Sequence, residues 1–409
     1  MNQSNCIVAQ SGGPTVAINA SLAGVIAGVK SSEKYDICYG AVNGILGILN
    51  ENYLNLSDIF ADDANLEKLK TTPAMYLGSC RHKLPDYKDD DSPYVYIFHQ
   101  FDKLSIKAFF YIGGNDSMDT VLKLSDYAKK INSDVKIIGI PKTIDNDLVL
   151  TDHTPGFGSA AKYVASTVRE IAIDASVYDN KKSVTIVEIM GRHAGWLTAA
   201  SVLARKFEND NPVLIYLPES AFNTDTFIED VKKALEHTSN LVVCVSEGIN
   251  DGNGTFICEL ASDVGVDTFG HKMLTGSGKY LENLVKEKLG VKVRSIELNV
   301  NQRCSSSMIS ATDQEEAIQA GISGVHFALD GITGKMIAFH RTEGADYSIN
   351  YVPEDVNLIC NQEKTVPPEW ITGNGSDIGQ AFIDYALPLI QGIVNVPEEN
   401  GLPKFAYRK

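Results

Sequence analysis

The sequence lacks the features of a membrane protein, of a secreted protein and of a fold held together by disulfides or zinc. No apolar run approaches the ~18 residues that a membrane-spanning helix needs. The first eight residues lack the basic region and apolar core of a signal peptide. The seven cysteines are scattered without a Cys-x-x-Cys pair, which argues against a disulfide framework and a zinc site and favours a reducing compartment. We therefore expect a soluble, cytoplasmic protein with no membrane partner.

Positive charge is also scarce. Lys and Arg number 36 against 52 Asp and Glu, a net charge of −16. Such a field disfavours nucleic acid and anionic membranes, so we expect no nucleic-acid partner. An anionic ligand would need a local cluster of amides and cations. No Gly-x-Gly-x-x-Gly follows an early strand, which argues against a dinucleotide-dependent dehydrogenase.

What the 409 residues do contain is a regular alternation of apolar runs and amphipathic stretches, enough for two or three domains. Continuous apolar strands alternating with helices indicate a parallel sheet covered on both faces, that is, doubly wound α/β architecture. In this architecture ligands bind beyond the carboxyl ends of the strands. The predicted strands lie at about 6–10, 108–112, 135–140, 184–189, 213–217 and 241–245. We predict a domain boundary near 154–159, with Ser159 as a helix N-cap.

Two predicted strands end in glycine-rich turns. Ser11–Pro14 lets the backbone approach an anion at a helix N-terminus, although a plain strand-to-helix turn explains it as well. The second turn, Gly113–Ser117, also carries a carboxylate. Asp116 and Asn115 are interpreted as hard oxygen ligands for Mg²⁺ beside a polyphosphate, or as residues that cap the next helix.

The segment Ile140–Asp147 carries the strongest chemical pattern. In an extended chain Thr143, Asp145 and Asp147 would point to the same side, next to Lys142. Phosphoryl transfer to a sugar hydroxyl needs such a carboxylate to take the proton and a cation to hold the transferring group. The alternative is a turn with solvated charges.

Later strands end in further polar residues. Arg192 follows the strand at 184–189 and suits bidentate contacts with phosphate. Glu247 follows the strand at 241–245 and could accept sugar hydroxyls or merely cap a turn. The cationic side chains that could bind a sugar phosphate are Lys181, Lys182, Arg294 and Arg303.

Together these motifs resemble the phosphofructokinase family, in the family's order over roughly residues 6–345. The matching motifs are Gly12-Gly13 with Asn19, Gly78–Arg81, Gly113–Ser117, Pro141–Asp147, Met190-Gly191-Arg192, Glu247 and Arg294 with Arg303. The resemblance implies Mg²⁺-dependent phosphoryl transfer to the 1-hydroxyl of fructose 6-phosphate, a reaction of glycolysis that gives fructose 1,6-bisphosphate.

The resemblance also implies roles for single residues. Asp145 would accept the proton, with Thr143 and Asp147 lining the transfer site. The donor would contact Gly12, Gly13, Arg81 and Asp116. The sugar phosphate would contact Thr143, Asp145, Met190, Gly191, Arg192, Glu247, Arg294 and Arg303. Asn115 stands where the family commonly has a Mg²⁺-binding Asp, and a neutral amide oxygen is a weaker ligand, so the resemblance leaves open whether Asn115, Asp116 or both contact the metal.

Two positions indicate the donor. ATP-using members have Gly where this chain has Asp116 and Lys142. A carboxylate at 116 would repel an α-phosphate by about 4 kcal/mol at ~4 Å, roughly a thousandfold in affinity. Lys142 would stabilise the charge of the transferring phosphate and the leaving group. Both changes resemble the pyrophosphate-dependent branch, so we expect a reversible transfer from pyrophosphate. The alternatives are an ATP-dependent enzyme and a non-catalytic sugar-phosphate-binding relative.

For the whole chain the resemblance implies two doubly wound Rossmann-like domains with the active site in the cleft between them. We predict a phosphoryl-donor domain at 1–155 plus about 304–365, a fructose 6-phosphate domain at 156–303 and a helical extension at 366–409. Subunits of the family share sites, so we expect a homodimer or homotetramer.

Overall fold

A computed structural model describes residues 4–177, 180–207, 209–261, 276–344 and 346–408. The strands are β1 Asn5–Gln10, β2 Cys38–Ala41, β3 Tyr53–Asn55, β4 Ile106–Gly113, β5 Lys136–Pro141, β6 Ser183–Ile189, β7 Leu214–Tyr216, β8 Asn240–Ser246, β9 Lys292–Glu297, β10 Lys335–Arg341, β11 Ile349–Asp355, β12 Ile371–Thr372, β13 Asp377–Ile378, β14 Glu398–Glu399 and β15 Leu402–Pro403. The helices are α1 Ile18–Ser32, α2 Ile45–Leu49, α3 Leu56–Ile59, α4 Asp63–Thr71, α5 Ser92–Lys103, α6 Asn115–Lys130, α7 Phe157–Ser176, α8 Trp196–Ala199, α9 Thr224–His237, α10 Ser277–Leu289, α11 Asn301–Cys304, α12 Ala311–Leu329 and α13 Gln380–Ala386.

The chain divides into two compact units. The first unit comprises Met1–Ser159, Arg303–Glu363 and Gln391–Lys409, and the second comprises Ala160–Gln302 and Lys364–Ile390. The segment that we predicted as one extension, 366–409, is divided between the units. Its first part packs aromatic rings against Trp196 in the second unit, where the ring centroids of Trp196 and Tyr385 lie 5.4 Å apart. Its last part contributes Ala406 to a core of the first unit.

The first unit contains a seven-stranded sheet in the order β11-β10-β5-β4-β1-β2-β3. The strands from β10 to β2 run parallel, and β3 and β11 pair antiparallel at the edges. Side chains that alternate along β1 and β4 enter two separate cores, one on each face of the sheet. Connections leave β1 and β4 in opposite directions along the sheet. The carboxyl ends of these two strands therefore form a topological switch point, where both glycine-rich turns lie.

The second unit contains a four-stranded parallel sheet in the order β7-β8-β6-β9. Its core combines strand residues with the buried faces of α9 and α10, including Val184, Val243, Phe227 and Leu281. Strands β6 and β8 are neighbours, so the residues that follow Ile189 and Ser246 meet at one edge of this sheet.

The predicted fold class is confirmed: both sheets are mostly parallel and carry helices. One local prediction is wrong, because α7 begins at Phe157 and Ser159 does not cap it. Ser159 instead donates its hydroxyl to Asp313, a buried residue of α12 that also accepts from the backbone N–H of Gly156. Within the described ranges, no helix combines the length and apolar content needed to span a membrane.

Candidate functional site

The turn after β1 brings the backbone close to a buried cation. Gly12 has a φ of +84°, and a Cβ placed on it would lie 3.1 Å from Nζ of Lys142. The hydroxyl of Ser79 donates to the carbonyl oxygen of Gly12 at 2.7 Å. A Cβ on Gly13 would lie 3.9 Å from a guanidinium nitrogen of Arg303. This turn therefore offers backbone and two cations to an anion, and a larger residue at 12 would be strained.

The turn after β4 is joined to the first turn. The hydroxyls of Ser11 and Ser117 share a hydrogen bond of 2.9 Å. Asn115 and Asp116 occupy the first turn of α6, where the helix dipole favours negative charge. The carboxylate of Asp116 is exposed and lies 3.1 Å from Nζ of Lys83. Sequence reasoning missed Lys83, because a single exposed lysine carries no pattern.

Asn115 has an unexpected role in the fold. Its Nδ2 donates to the carbonyl oxygen of Gln362 at 2.6 Å, and its Oδ1 accepts from the backbone N–H of Asn361 at 2.6 Å. An aspartate could not make the first of these bonds, because a carboxylate has no N–H to donate. Asn115 thus joins the first turn of α6 to the loop that carries Glu363.

Lys142 lies at the end of β5 with only 2 % of its surface exposed. Burial is the main reason that the pKa of Lys142 is lowered to about 8; Asp145 and Asp147 oppose this shift, and the charge of Arg303 acts in the same direction as burial. The ammonium group therefore lies among the predicted catalytic carboxylates rather than in solvent.

Thr143 and Asp145 contact each other directly. The hydroxyl of Thr143 donates to Oδ2 of Asp145 at 3.2 Å, and the backbone N–H of Asp145 lies 3.1 Å from the same hydroxyl. The expected extended path is wrong, however, since the chain bends at Ile144 and Asp145, and Asn146 has a φ of +55°. The side chain of Asn146 is buried and accepts from the backbone N–H of Thr154 at 3.1 Å.

Asp147 lies in a region of concentrated negative charge. Burial is the main reason that the pKa of Asp147 is raised to about 7; the charges of Asp145 and Glu363 act in the same direction, and that of Lys142 opposes them. Sequence analysis missed Glu363, because only the tertiary fold brings this loop residue close to Asp147. In the part of the chain that is described, no group of three or more His, Cys, Asp or Glu side chains has the arrangement of a metal site.

Arg81 lies at the surface, two residues after Ser79, in the segment that contacts the Gly12 turn. Its sequence position follows Gly78, which has a φ of +75°. The role of Arg81 in binding the donor stays a prediction.

In the second unit, four of the predicted sugar-phosphate residues lie at the carboxyl ends of β6 and β8: Met190, Gly191, Arg192 and Glu247. The backbone N–H of Gly191 donates to a carboxylate oxygen of Glu247 at 3.3 Å. The backbone N–H of Glu247 donates to the carbonyl oxygen of Ile189 at 2.8 Å. Met190 donates its backbone N–H to Gln302 at 3.3 Å, and Arg192 follows two residues later in the same turn.

Arg294 lies elsewhere in the second unit. It stands on β9 beside Thr185 of β6, five residues before Met190, or roughly 16 Å along the strands. There it lines a pocket of about 80 Å³ with Lys181 and Lys292. Within one chain, therefore, the structure does not bring Arg294 to the Met190–Arg192 turn.

The fold and the two turns define a doubly wound α/β protein with anion-binding features at a topological switch point. A family model for phosphofructokinase matches residues 5–328, and the chain belongs to this family. Two relatives are each named pyrophosphate–fructose 6-phosphate 1-phosphotransferase. The one from Rhodospirillum rubrum is 41 % identical over 95 % of both chains, and the one from Xanthomonas campestris is 40 % identical over 100 % of this chain and 97 % of its own. The crystal structure of a pyrophosphate-dependent phosphofructokinase from Marinobacter aquaeolei is similar at a TM-score of 0.88, with 36 % identity over 98 % of this chain and 95 % of that one.

Proposed function

We propose that this chain is a pyrophosphate-dependent phosphofructokinase, which transfers a phosphoryl group reversibly from pyrophosphate to the 1-hydroxyl of fructose 6-phosphate. The products are fructose 1,6-bisphosphate and phosphate, and the reaction belongs to glycolysis. The observation that carries the proposal is Lys142, buried beside Gly12 and between the charges of Asp145 and Asp147. The named activity of the similar proteins from Rhodospirillum rubrum and Xanthomonas campestris supports the same donor.

Asp145 acts as the general base in this proposal. Its carboxylate accepts the proton of the sugar 1-hydroxyl while the oxygen attacks phosphorus, the bridging P–O bond breaks and phosphate leaves. The hydroxyl of Thr143, which donates to Oδ2 of Asp145, orients the carboxylate. The Lys142 ammonium stabilises negative charge on the transferring and leaving groups at a position from which water is excluded.

We further propose Mg²⁺ as the cofactor, held by Asp116 and Asn115 at the first turn of α6. Asp116 would supply an exposed carboxylate, which now pairs with Lys83, and Asn115 an amide oxygen that also accepts from the backbone N–H of Asn361. These two oxygens fit a cation that keeps waters and takes its remaining ligands from substrate phosphates. When bound, Mg²⁺ neutralises charge on the diphosphate oxygens. The chain itself would hold the diphosphate against the backbone of Gly12 and Gly13, with Arg81 and Arg303 as the cations assigned to it.

The sugar phosphate is assigned to Met190, Gly191, Arg192 and Glu247, together with Arg294 and Arg303. Since Arg294 lies roughly 16 Å along the strands from Met190, a second copy of the chain must supply it. The proposal therefore includes a homodimer or homotetramer with shared sites. It places the enzyme in the cytoplasm, where reducing conditions suit its seven free cysteines.

Turnover with each donor tests the proposal. Purified protein, Mg²⁺ and fructose 6-phosphate are supplied with either pyrophosphate or ATP, and product is followed in a coupled assay. We expect turnover with pyrophosphate only. Turnover with ATP and none with pyrophosphate would reject the proposed donor, and no turnover with either would favour a non-catalytic relative.

A double variant tests the structural argument for the donor. Asp116→Gly with Lys142→Gly should weaken the use of pyrophosphate far more than the binding of fructose 6-phosphate. Unchanged pyrophosphate kinetics in this variant would remove the argument from these two side chains.

A further inference from the structure

Residues 404–408 lie against the segment 72–78, more than 300 positions earlier in the sequence. The next residue of that segment, Ser79, bonds to the Gly12 turn. The backbone N–H of Ala406 donates to the hydroxyl of Thr72 at 2.9 Å. Two residues later, a guanidinium nitrogen of Arg408 donates to the carbonyl oxygen of Leu77 at 3.3 Å. The same nitrogen lies 3.5 Å from where a Cβ on Gly78 would be. The guanidinium thus covers the backbone of the turn formed by Leu77, Gly78 and Ser79.

The Leu77–Ser79 turn is also hydrogen-bonded to β1 and to the Gly12 turn, where the donor is proposed to bind. The hydroxyl of Ser79 donates to the carbonyl oxygen of Gly12 at 2.7 Å. The backbone N–H of Leu77 donates to the side chain of Gln10, the last residue of β1, at 2.9 Å. Gly78 has a φ of +75°, a conformation that glycine adopts without strain and that other residues avoid, so the path of this turn depends on glycine at 78. A displacement of the turn would therefore move both Ser79 and Gly12.

We propose that Arg408 is a positioning residue for the phosphoryl donor, because its guanidinium holds the Leu77–Ser79 turn against Gly12 in the geometry that binds the donor phosphates. This inference rests on the proposed function, in which Gly12 contacts the donor. The positive charge of Arg408 also favours a diphosphate in a chain whose net charge is −16.

The effect of Arg408 should fall on donor binding rather than on folding. Its side chain is exposed, and the carbonyl oxygen of Leu77 already accepts from the backbone N–H of Asn43 at 2.8 Å. Loss of the guanidinium therefore leaves no buried group without a hydrogen bond. An exposed hydrogen bond of this kind adds little to the free energy of folding, whereas a donor site depends on small displacements of its backbone.

The experiment compares three variants of the full chain: Arg408→Ala, Arg408→Lys and the control Lys404→Ala. Lys404 lies in the same segment and carries the same charge, but its ammonium pairs with Glu399 at 2.8 Å, outside the turn. For Arg408→Ala we expect the KM for pyrophosphate to rise about fivefold, with kcat and the KM for fructose 6-phosphate within about twofold of the unsubstituted chain. Arg408→Lys should recover part of the loss, and Lys404→Ala should behave as the unsubstituted chain. Titration calorimetry with pyrophosphate alone should show the same order of affinities.

Each other outcome has a distinct meaning. Equal pyrophosphate KM values for Arg408→Ala and Lys404→Ala would overturn the inference and leave the proposed function intact. Equal losses in the KM values for both substrates, with a lowered melting temperature, would assign Arg408 a general structural role and also overturn it. If the unsubstituted chain used ATP instead, the proposed function would fail, and the same comparison with ATP would test Arg408.

Discussion

The pKa of Lys142 is lowered and that of Asp147 is raised, so the two side chains titrate within about one pH unit of each other. Burial lowers the pKa of the Lys142 ammonium to about 8, because water cannot solvate the charge there. Burial, together with the carboxylates of Asp145 and Glu363, raises the pKa of Asp147 to about 7. Both groups are charged together mainly between these two values. A site that uses both charges should therefore work best in a narrow range of pH.

We predict that kcat/KM for pyrophosphate falls as pH rises above about 8, because Lys142 then loses its proton. Arg keeps its charge throughout this range, so Lys142→Arg should retain more of its own maximum at pH 9. The measurement is kcat/KM from pH 6 to 9.5, expressed as the ratio of variant to unsubstituted chain so that ionisation of pyrophosphate cancels. A ratio independent of pH would contradict the assignment of the alkaline limb to Lys142.

Asp145→Asn removes the proposed base while keeping the shape of the side chain. We predict that kcat falls by about 10²–10⁴, the usual contribution of a positioned general base. The Kd for fructose 6-phosphate should change little. Asp126→Asn is a matched control, because this exposed carboxylate pairs with Lys129 on the surface of α6. If Asp145→Asn kept its rate, the proposed mechanism would be wrong.

At the scale of elements, a buried charged cluster joins the segment that contains Asp152 and His153 to α12 and β10. The ring of His153 is buried, with Nδ1 2.8 Å from Asp152 and Nε2 2.7 Å from Glu316. Asp152 also pairs with Arg341 of β10 at 2.9 Å, and Glu316 accepts from the hydroxyl of Tyr347. Burial alone would lower the pKa of His153, but the two carboxylates outweigh it and raise the pKa to about 9.

This cluster predicts a dependence of stability on pH. The pKa of His153 is higher in the folded chain than its ordinary value of 6.5, so its stabilising effect is complete below about 6.5 and is lost as pH rises to about 9. His153→Gln should reduce the free energy of unfolding by about 3 kcal/mol at pH 6 and by much less at pH 9.5.

Urea unfolding at several pH values measures this difference. His340→Gln is the control, because this half-exposed histidine of β10 pairs with Glu354 at the surface and should change stability little. A constant difference between His153→Gln and the unsubstituted chain from pH 6 to 9.5 would contradict a charged His153.

Sequence patterns predicted the elements better than the contacts between them. Apolar runs identified β1, β4, β5, β6 and β8, since a strand buried on both faces must be continuously apolar. The same patterns placed Ser159 at a helix N-cap, although α7 begins earlier and Ser159 bonds to Asp313. A cap depends on local sequence, but here a buried carboxylate from α12 takes its place, and no local pattern could show that.

At the scale of the whole molecule, the position of Arg294 is the basis of the proposed sharing of sites between copies of the chain. The parallel register of β6 and β9 places it beside Thr185, far from the Met190 turn at the carboxyl end of β6. Both positions are set by a continuous hydrogen-bonded ladder, so a local side-chain movement cannot bring them together. The proposed sharing of sites follows from this register.

Mixing two inactive variants tests the sharing. We predict that Arg294→Ala and Asp145→Asn chains, refolded or co-expressed together, regain up to about a quarter of full activity. In a mixed dimer one site has both intact residues, since each copy supplies what the other lacks. Asp145→Asn mixed with Lys142→Met should regain nothing. Each site takes residues 142 and 145 from the same copy, so every site in this mixture lacks one of the two. Equal activity in the two mixtures would rule out a shared Arg294.

The order of strands, glycine-rich turns and acidic residues along the chain determined the fold class and the chemistry of the proposed site, because each depends on neighbours within a few residues. The tertiary structure alone decided the burial of Lys142, the bonds of Asn115 to Asn361 and Gln362, the approach of Glu363 to Asp147, and the distance of Arg294 from Met190. Each of these depends on segments far apart in sequence, whose relative positions are set by the packing of the sheets and by strand register.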